Sequence, residues 1–74
     1  MPKLRPLPSR EICKILQSHG FSKNRQTGSH IIMQLALPGG DTRTVIVPNH
    51  AEVAVGTLNS IIKQSGLDAS LFRK

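Results

Sequence analysis

Tryptophan and tyrosine are absent from the 74-residue sequence, and only Phe21 and Phe72 are aromatic. Proteins that hold single-stranded nucleic acid by stacking its bases need exposed aromatic platforms, so that mode is excluded and both phenylalanines read as core residues. Acidic side chains are scarce as well: four Asp and Glu stand against ten Lys and Arg, a formal charge of +6. Such a balance suits a polyanion, most often nucleic acid, or an acidic protein face. The basic residues are scattered from Lys3 to Lys74, so any patch has to be assembled by folding. A single cysteine, Cys13, excludes an internal disulfide and fits a reducing compartment. No run approaches the ~18 apolar residues of a membrane span, and MPKLRPLPSR has no apolar stretch after its charges. The expectation is a cytoplasmic protein without membrane contact. Repeats and low-complexity tracts are missing, and the length suits one domain, residues 1–74, with an irregular Pro-rich segment over residues 1–8.

What is present is periodic. Ser9, a capping residue type, precedes Ile12, Ile15 and Leu16 at the spacing of a one-faced helix, and Gly20 stops it, predicting helix one over Ser9–His19. Glu11 suits the positive end of the helix dipole and His19 its negative end, while Phe21 folds back on the apolar face. Phe21–Arg25 reads as a short strand, Gln26–Gly28 as a turn, and Ser29–Leu37 as a longer strand. Pro38–Asp41 is a loop, and β-branched Thr42–Val47 returns as the antiparallel partner, ended by Pro48. In the middle strand Ile31, Met33, Leu35 and Leu37 share one face, whereas Ile32 and Ala36 lie with His30 and Gln34 on the other. Neither face is clearly polar, so either the division into faces differs from simple alternation or the second face meets a partner. Leu58, Ile61 and Ile62 form another helical stripe, closed by Gly66, so helix two spans Gly56–Ser65, with Leu67, Leu71 and Phe72 packing across its end. The fold class is therefore α+β in the order α-β-β-β-α: a three-stranded antiparallel sheet with two helices on one face, the architecture of double-stranded RNA-binding domains.

Candidate chemistry is sparse. Cys13, His19, His30 and His50 contain no pair at ligand spacing, so neither a metal nor another cofactor is expected. Gly39-Gly40 lacks the spacing and the lysine of a phosphate-binding loop, and Cys13 lies within a helix far from any electropositive start. Backbone N–H groups of Gly56 and Thr57 in the first turn of helix two, followed by Lys63, offer a phosphate-docking point. Histidine is the side chain able both to take and to give a proton near neutral pH. RNA carries its own nucleophile in the 2′-hydroxyl, so a base, an acid and cationic support are enough to cleave it. On residues alone His30 is a candidate for that role and no more, a structural role being the commoner one for a strand histidine; His50 is a loop residue that could face the same side.

Together these stretches resemble the HicA (YcfA-like) toxins of toxin–antitoxin systems. The resemblance rests on HGF (His19–Phe21), GSH (Gly28–His30), VPNH (Val47–His50), GTLNSIIKQSGL (Gly56–Leu67) and a tail with Phe72, and it covers nearly the whole chain. It implies a fold like that of double-stranded RNA-binding domains, ribonuclease activity against mRNA that blocks translation, and neutralisation by a HicB-type antitoxin, with any oligomer arising through that complex; the missing ligand cluster makes the expected activity metal-independent. It also implies that His30 is the catalytic residue, with Gly28 freeing the turn and Ser29 as a hydrogen-bonding neighbour. Lys23, Arg25, Lys63 and His50 are then the RNA-contact candidates, beside Gly28, Ser29, Gly56 and Thr57. The chain departs from the family pattern at Ile31, Ile32 and Met33, where relatives have aromatic or basic residues, and at Ala54 and Val55, where they have basic residues or proline. Two rival readings are a non-catalytic double-stranded RNA-binding module and a protein-interaction module without RNA contact.

Overall fold

The computed structural model describes residues 3–73; Met1, Pro2 and Lys74, which the single-domain reading and the basic-residue count include, lie outside them. Its element order is α1 (Ser9–Ser18), β1 (Ser22–Thr27), β2 (His30–Ala36), β3 (Thr42–Pro48), α2 (Val55–Ser65) and a 3-10 turn over Ala69–Phe72. This is the α-β-β-β-α order read from the sequence, with a three-stranded antiparallel sheet in the order β1-β2-β3.

Both helices pack on one face of the sheet because β2 and β3 turn their buried apolar residues to that face. Ile31 and Met33 of β2 and Val45 and Val47 of β3 join Ile12, Leu16, Leu58, Ile61 and Phe72 in a single buried cluster. Removing such side chains from water is the main favourable term for a chain this small. Leu7 adds to the core and forms an antiparallel bridge with Val53, so the described residues before α1 are anchored to the domain.

Helix ends follow local chemistry with one exception. Gly66 ends α2 at φ 72°, its N–H donating to the carbonyls of Ile62 (3.1 Å) and Lys63 (3.3 Å), a left-handed cap that glycine adopts without a Cβ penalty. His19 is the C-cap of α1, with Nδ1 2.9 Å from the Ile15 carbonyl, as expected of a residue at the negative end of the dipole. Ser9 is the exception. Pro8 occupies the N-cap, suited by its fixed φ, and the Ser9 hydroxyl turns away from the helix to donate to Asn49 Oδ1 at 3.2 Å.

The strands differ from expectation at the hairpin. Gln26 and Thr27 belong to β1, and Gly28 and Ser29 alone make the turn between Thr27 and its partner His30. A two-residue hairpin needs positive φ at its first central position, which Gly28 supplies at 52°. Strand β1 also carries a bulge between Lys23 and Arg25, so Asn24 is an extra residue opposite β2. Leu37 lies outside β2, its N–H donating to the Asp41 carbonyl at 2.7 Å to close the β2–β3 loop. Helix α2 also shields the free edge of β3: Gln64 Oε1 accepts from the Ile46 N–H at 3.4 Å, and Arg43 Nη1 donates to the Gln64 carbonyl at 3.4 Å.

Candidate functional site

His30 is the first residue of the central strand, cross-paired with Thr27 on one side and Pro48 on the other. Side chains directly opposite one another share a face, and alternation sets His30 against Ile31 and Met33, which are buried beneath the helices. The imidazole therefore stands on the uncovered face of the sheet. It is exposed, and no described residue hydrogen-bonds its ring, so both nitrogens are open to a ligand.

Backbone bonds from two other segments hold this histidine in place. The Asn49 N–H donates to the Ser29 carbonyl at 2.6 Å, locking the turn that precedes His30. The His50 N–H folds back on the Pro48 carbonyl at 3.0 Å, and the His50 carbonyl accepts from the Ser9 N–H at 3.0 Å. Residues 8–10, 28–30 and 48–50 are thus fastened to each other, and an open recess of about 310 Å³ lined by Pro8, Ser9, Arg10, Asn49, His50 and Ala51 lies beside them. Arg10 was not among the sequence-derived candidates; its only signal was membership in the basic excess.

The remaining candidates divide between the two sides of the sheet. Arg25 pairs with Ile32 and so lies on the His30 face, one cross-strand row away. Lys23 pairs with Met33 and points to the helical side, where its ammonium donates to Gln26 Oε1 at 3.1 Å. It also sits near Cys13 of α1: burial pushes that thiol above its ordinary range, and the positive charge of Lys23 pulls it partly back. Gly56, Thr57 and Lys63 are exposed on α2, in the helical layer. The structure therefore sets Gly28, Ser29 and Arg25 beside His30, ties the loop carrying His50 to the same turn, and leaves Lys23, Lys63, Gly56 and Thr57 on the helical side. Among the described residues, no three His, Cys, Asp or Glu side chains are grouped as a metal site, and no helix is long and apolar enough to cross a membrane.

The uncovered face has an ordered composition. Beyond the row of Thr27, His30 and Pro48 come Arg25, Ile32 and Ile46, the last a large apolar side chain left 47% exposed. The next row is polar: Asn24 Nδ2 donates to Gln34 Oε1 at 2.8 Å, and Gln34 Nε2 donates to Thr44 Oγ1 at 3.4 Å.

Fold and site together define a small basic α+β domain whose one unpartnered strand histidine is displayed on an open sheet face. The sequence model for the HicA toxin of bacterial toxin–antitoxin systems matches residues 9–67, and the chain belongs to that family. No curated protein gives a significant match to the chain. Membership implies an antitoxin as partner.

Proposed function

We propose that this HicA-family toxin is an endoribonuclease that cleaves mRNA in the cytoplasm, blocks translation, and is neutralised by a HicB-type antitoxin. The observation that carries the reading is the solvent-open imidazole of His30, held at a rigid turn on an uncovered sheet face of a protein with a +6 charge. In the reaction the 2′-oxygen of a ribose attacks the adjacent phosphorus. The bond from phosphorus to the 5′-oxygen breaks, leaving a 2′,3′-cyclic phosphate and a 5′-hydroxyl. His30 takes the proton from the 2′-hydroxyl or delivers one to the departing 5′-oxygen, work that contributes roughly 10²- to 10⁴-fold in rate.

Arg25, one row away on the same face, is the side chain suited to the extra negative charge on the pentacoordinate phosphorus. Gly28 and Ser29 set the position of His30, and His50 contacts RNA from the adjoining loop. Lys23, Lys63 and the N–H groups of Gly56 and Thr57 meet phosphates that pass the helical side, contacts that add affinity without reading sequence. The chemistry asks only for a base, an acid and cationic support.

Induction of the wild type and of His30→Ala in cells, with growth and mRNA integrity followed, tests the reading. The wild type should arrest growth and produce cut mRNA bearing cyclic phosphate ends, and a variant shown to be folded by circular dichroism should do neither. Persistent cleavage by the folded variant, or cut ends without a 3′-phosphate, would refute the mechanism.

A further inference from the structure

We infer that the uncovered sheet face is a track for single-stranded RNA, and that Gln34, braced by Asn24 and Thr44, reads a base flanking the cut. The inference rests on the endoribonuclease reading above and extends it to substrate selection.

Charge on this face favours RNA. Its side chains include the cationic Arg25 and the titratable His30 but no carboxylate, Asp41 lying in the loop beyond the strands. A strand advances about 6.7 Å per two residues, close to the span of one extended nucleotide, so successive rows of the face can meet successive nucleotides. Ile32 and Ile46 form an apolar shelf one step from His30, where a base can rest without an aromatic partner. Gln34 comes a further step along, about 13 Å from His30 along β2.

The polar row is arranged to present hydrogen-bonding groups outward. An amide carries one acceptor oxygen and two N–H donors. Gln34 Oε1 is occupied by Asn24, and one Nε2 hydrogen is directed to Thr44, which leaves the second N–H of Gln34 and the Asn24 oxygen available. Alternation after Lys23 sets Asn24 on this face, and the β1 bulge keeps the next residue, Arg25, on the same side. A donor and an acceptor side by side, fixed by their neighbours, match the edge of a nucleobase, as Asn and Gln amides do elsewhere. Single-stranded RNA is read in this way because its base edges are free.

A row that served only to hold the strands together would affect stability and leave substrate choice untouched. The test therefore reads cleavage positions. The purified wild type, Gln34→Leu, Thr44→Val and His30→Ala are incubated with a pool of unstructured RNA, and the cut sites are sequenced. Gln34→Leu should still cut, with the base preference at one flanking position flattened by roughly fivefold or more, and Thr44→Val should flatten the same position less. Histidine-dependent cutting with unchanged preference in both folded variants overturns the inference and leaves the endoribonuclease reading standing. So does a uniform loss of rate at unaltered preference. Unchanged preference combined with weaker neutralisation by the antitoxin assigns the face to the protein partner instead. Absence of any cutting above the His30→Ala background overturns both readings.

Discussion

The Asn49 N–H and the Ser29 carbonyl, 2.6 Å apart, join the loop that carries His50 to the turn that precedes His30. The Asn49 side chain then passes the connection on, accepting from the Ser9 hydroxyl at the start of α1. Ser9 is buried, at 6% exposure, so its hydroxyl bond has little competition from water.

Ser9→Ala removes that side-chain link and keeps the backbone bond. It should destabilise the protein by about 1 kcal/mol. For a domain of this size that lowers the melting temperature by roughly 4–8 °C. A thermal melt indistinguishable from wild type would show that the link contributes nothing.

Substitution at Gly28 separates backbone strain from crowding. A Cβ there has no atom within 4 Å, so the cost of Gly28→Ala is torsional and comes from φ 52°. It should be about 1–2 kcal/mol. Gly28→Asn should recover much of it, because Asn tolerates left-handed φ. Equal denaturant midpoints for the Ala and Asn variants would contradict this account of the turn.

Gly66 adds to the torsional cost a contact with a side chain that has to move. Its φ is 72°, and an added Cβ would lie 2.9 Å from Arg43 Nη1, the guanidinium that caps the end of α2. Gly66→Ala and Arg43→Ala should each destabilise, while the double variant should lose less than the sum, by about 0.5 kcal/mol or more. Strict additivity in urea unfolding would mean that the two groups do not meet.

The thiol of Cys13 has a definite pH signature. Burial raises its pKa, so at any given pH its thiolate fraction is lower than that of a free cysteine, and alkylation should need a more alkaline solution. Lys23 acts in the opposite direction, so Lys23→Gln should shift the rate profile further to high pH. An unchanged profile would place Lys23 away from the thiol.

Core and open face should respond differently to truncation. Leu16→Ala, at a site with 0% exposure, should cost about 2–5 kcal/mol, enough to unfold much of so small a domain. Ile46→Ser, on the uncovered face, should change stability by about 0.5 kcal/mol or less. Comparable losses in chemical denaturation would mean that Ile46 is covered.

Features encoded by neighbours in the chain were legible in the sequence, whereas those formed across it were not. The glycines ending both helices and the stripe of Leu58, Ile61 and Ile62 act locally, and they marked α1 and α2 to within a residue. Alternation in β2 divided Ile31 and Met33 from His30 and Ile32 correctly, but which set would meet the helices depended on packing partners far along the chain. The β1 bulge at Asn24 has no compositional mark, and polar Gln26 and Thr27 look like turn residues when only the φ of Gly28 shows how tight the hairpin is. Arg43 looked like any other surface cation; its place at the end of α2 spans 21 residues of sequence. Ser9 resembled a helix cap and became a tertiary bond because Asn49 lies opposite it. The prominence of His30 came from resemblance, and its open surroundings came from the fold.

The bond between Gln64 and the Ile46 N–H has a consequence for assembly. With α2 lying against β3, that border of the sheet is obstructed at its centre, whereas β1 is exposed along its whole length. A fibre grows only from units with two adhesive borders, since each must bind one neighbour ahead and one behind. A sheet with a single free border can join one extra strand and then stops, so association through its strands ends at a pair.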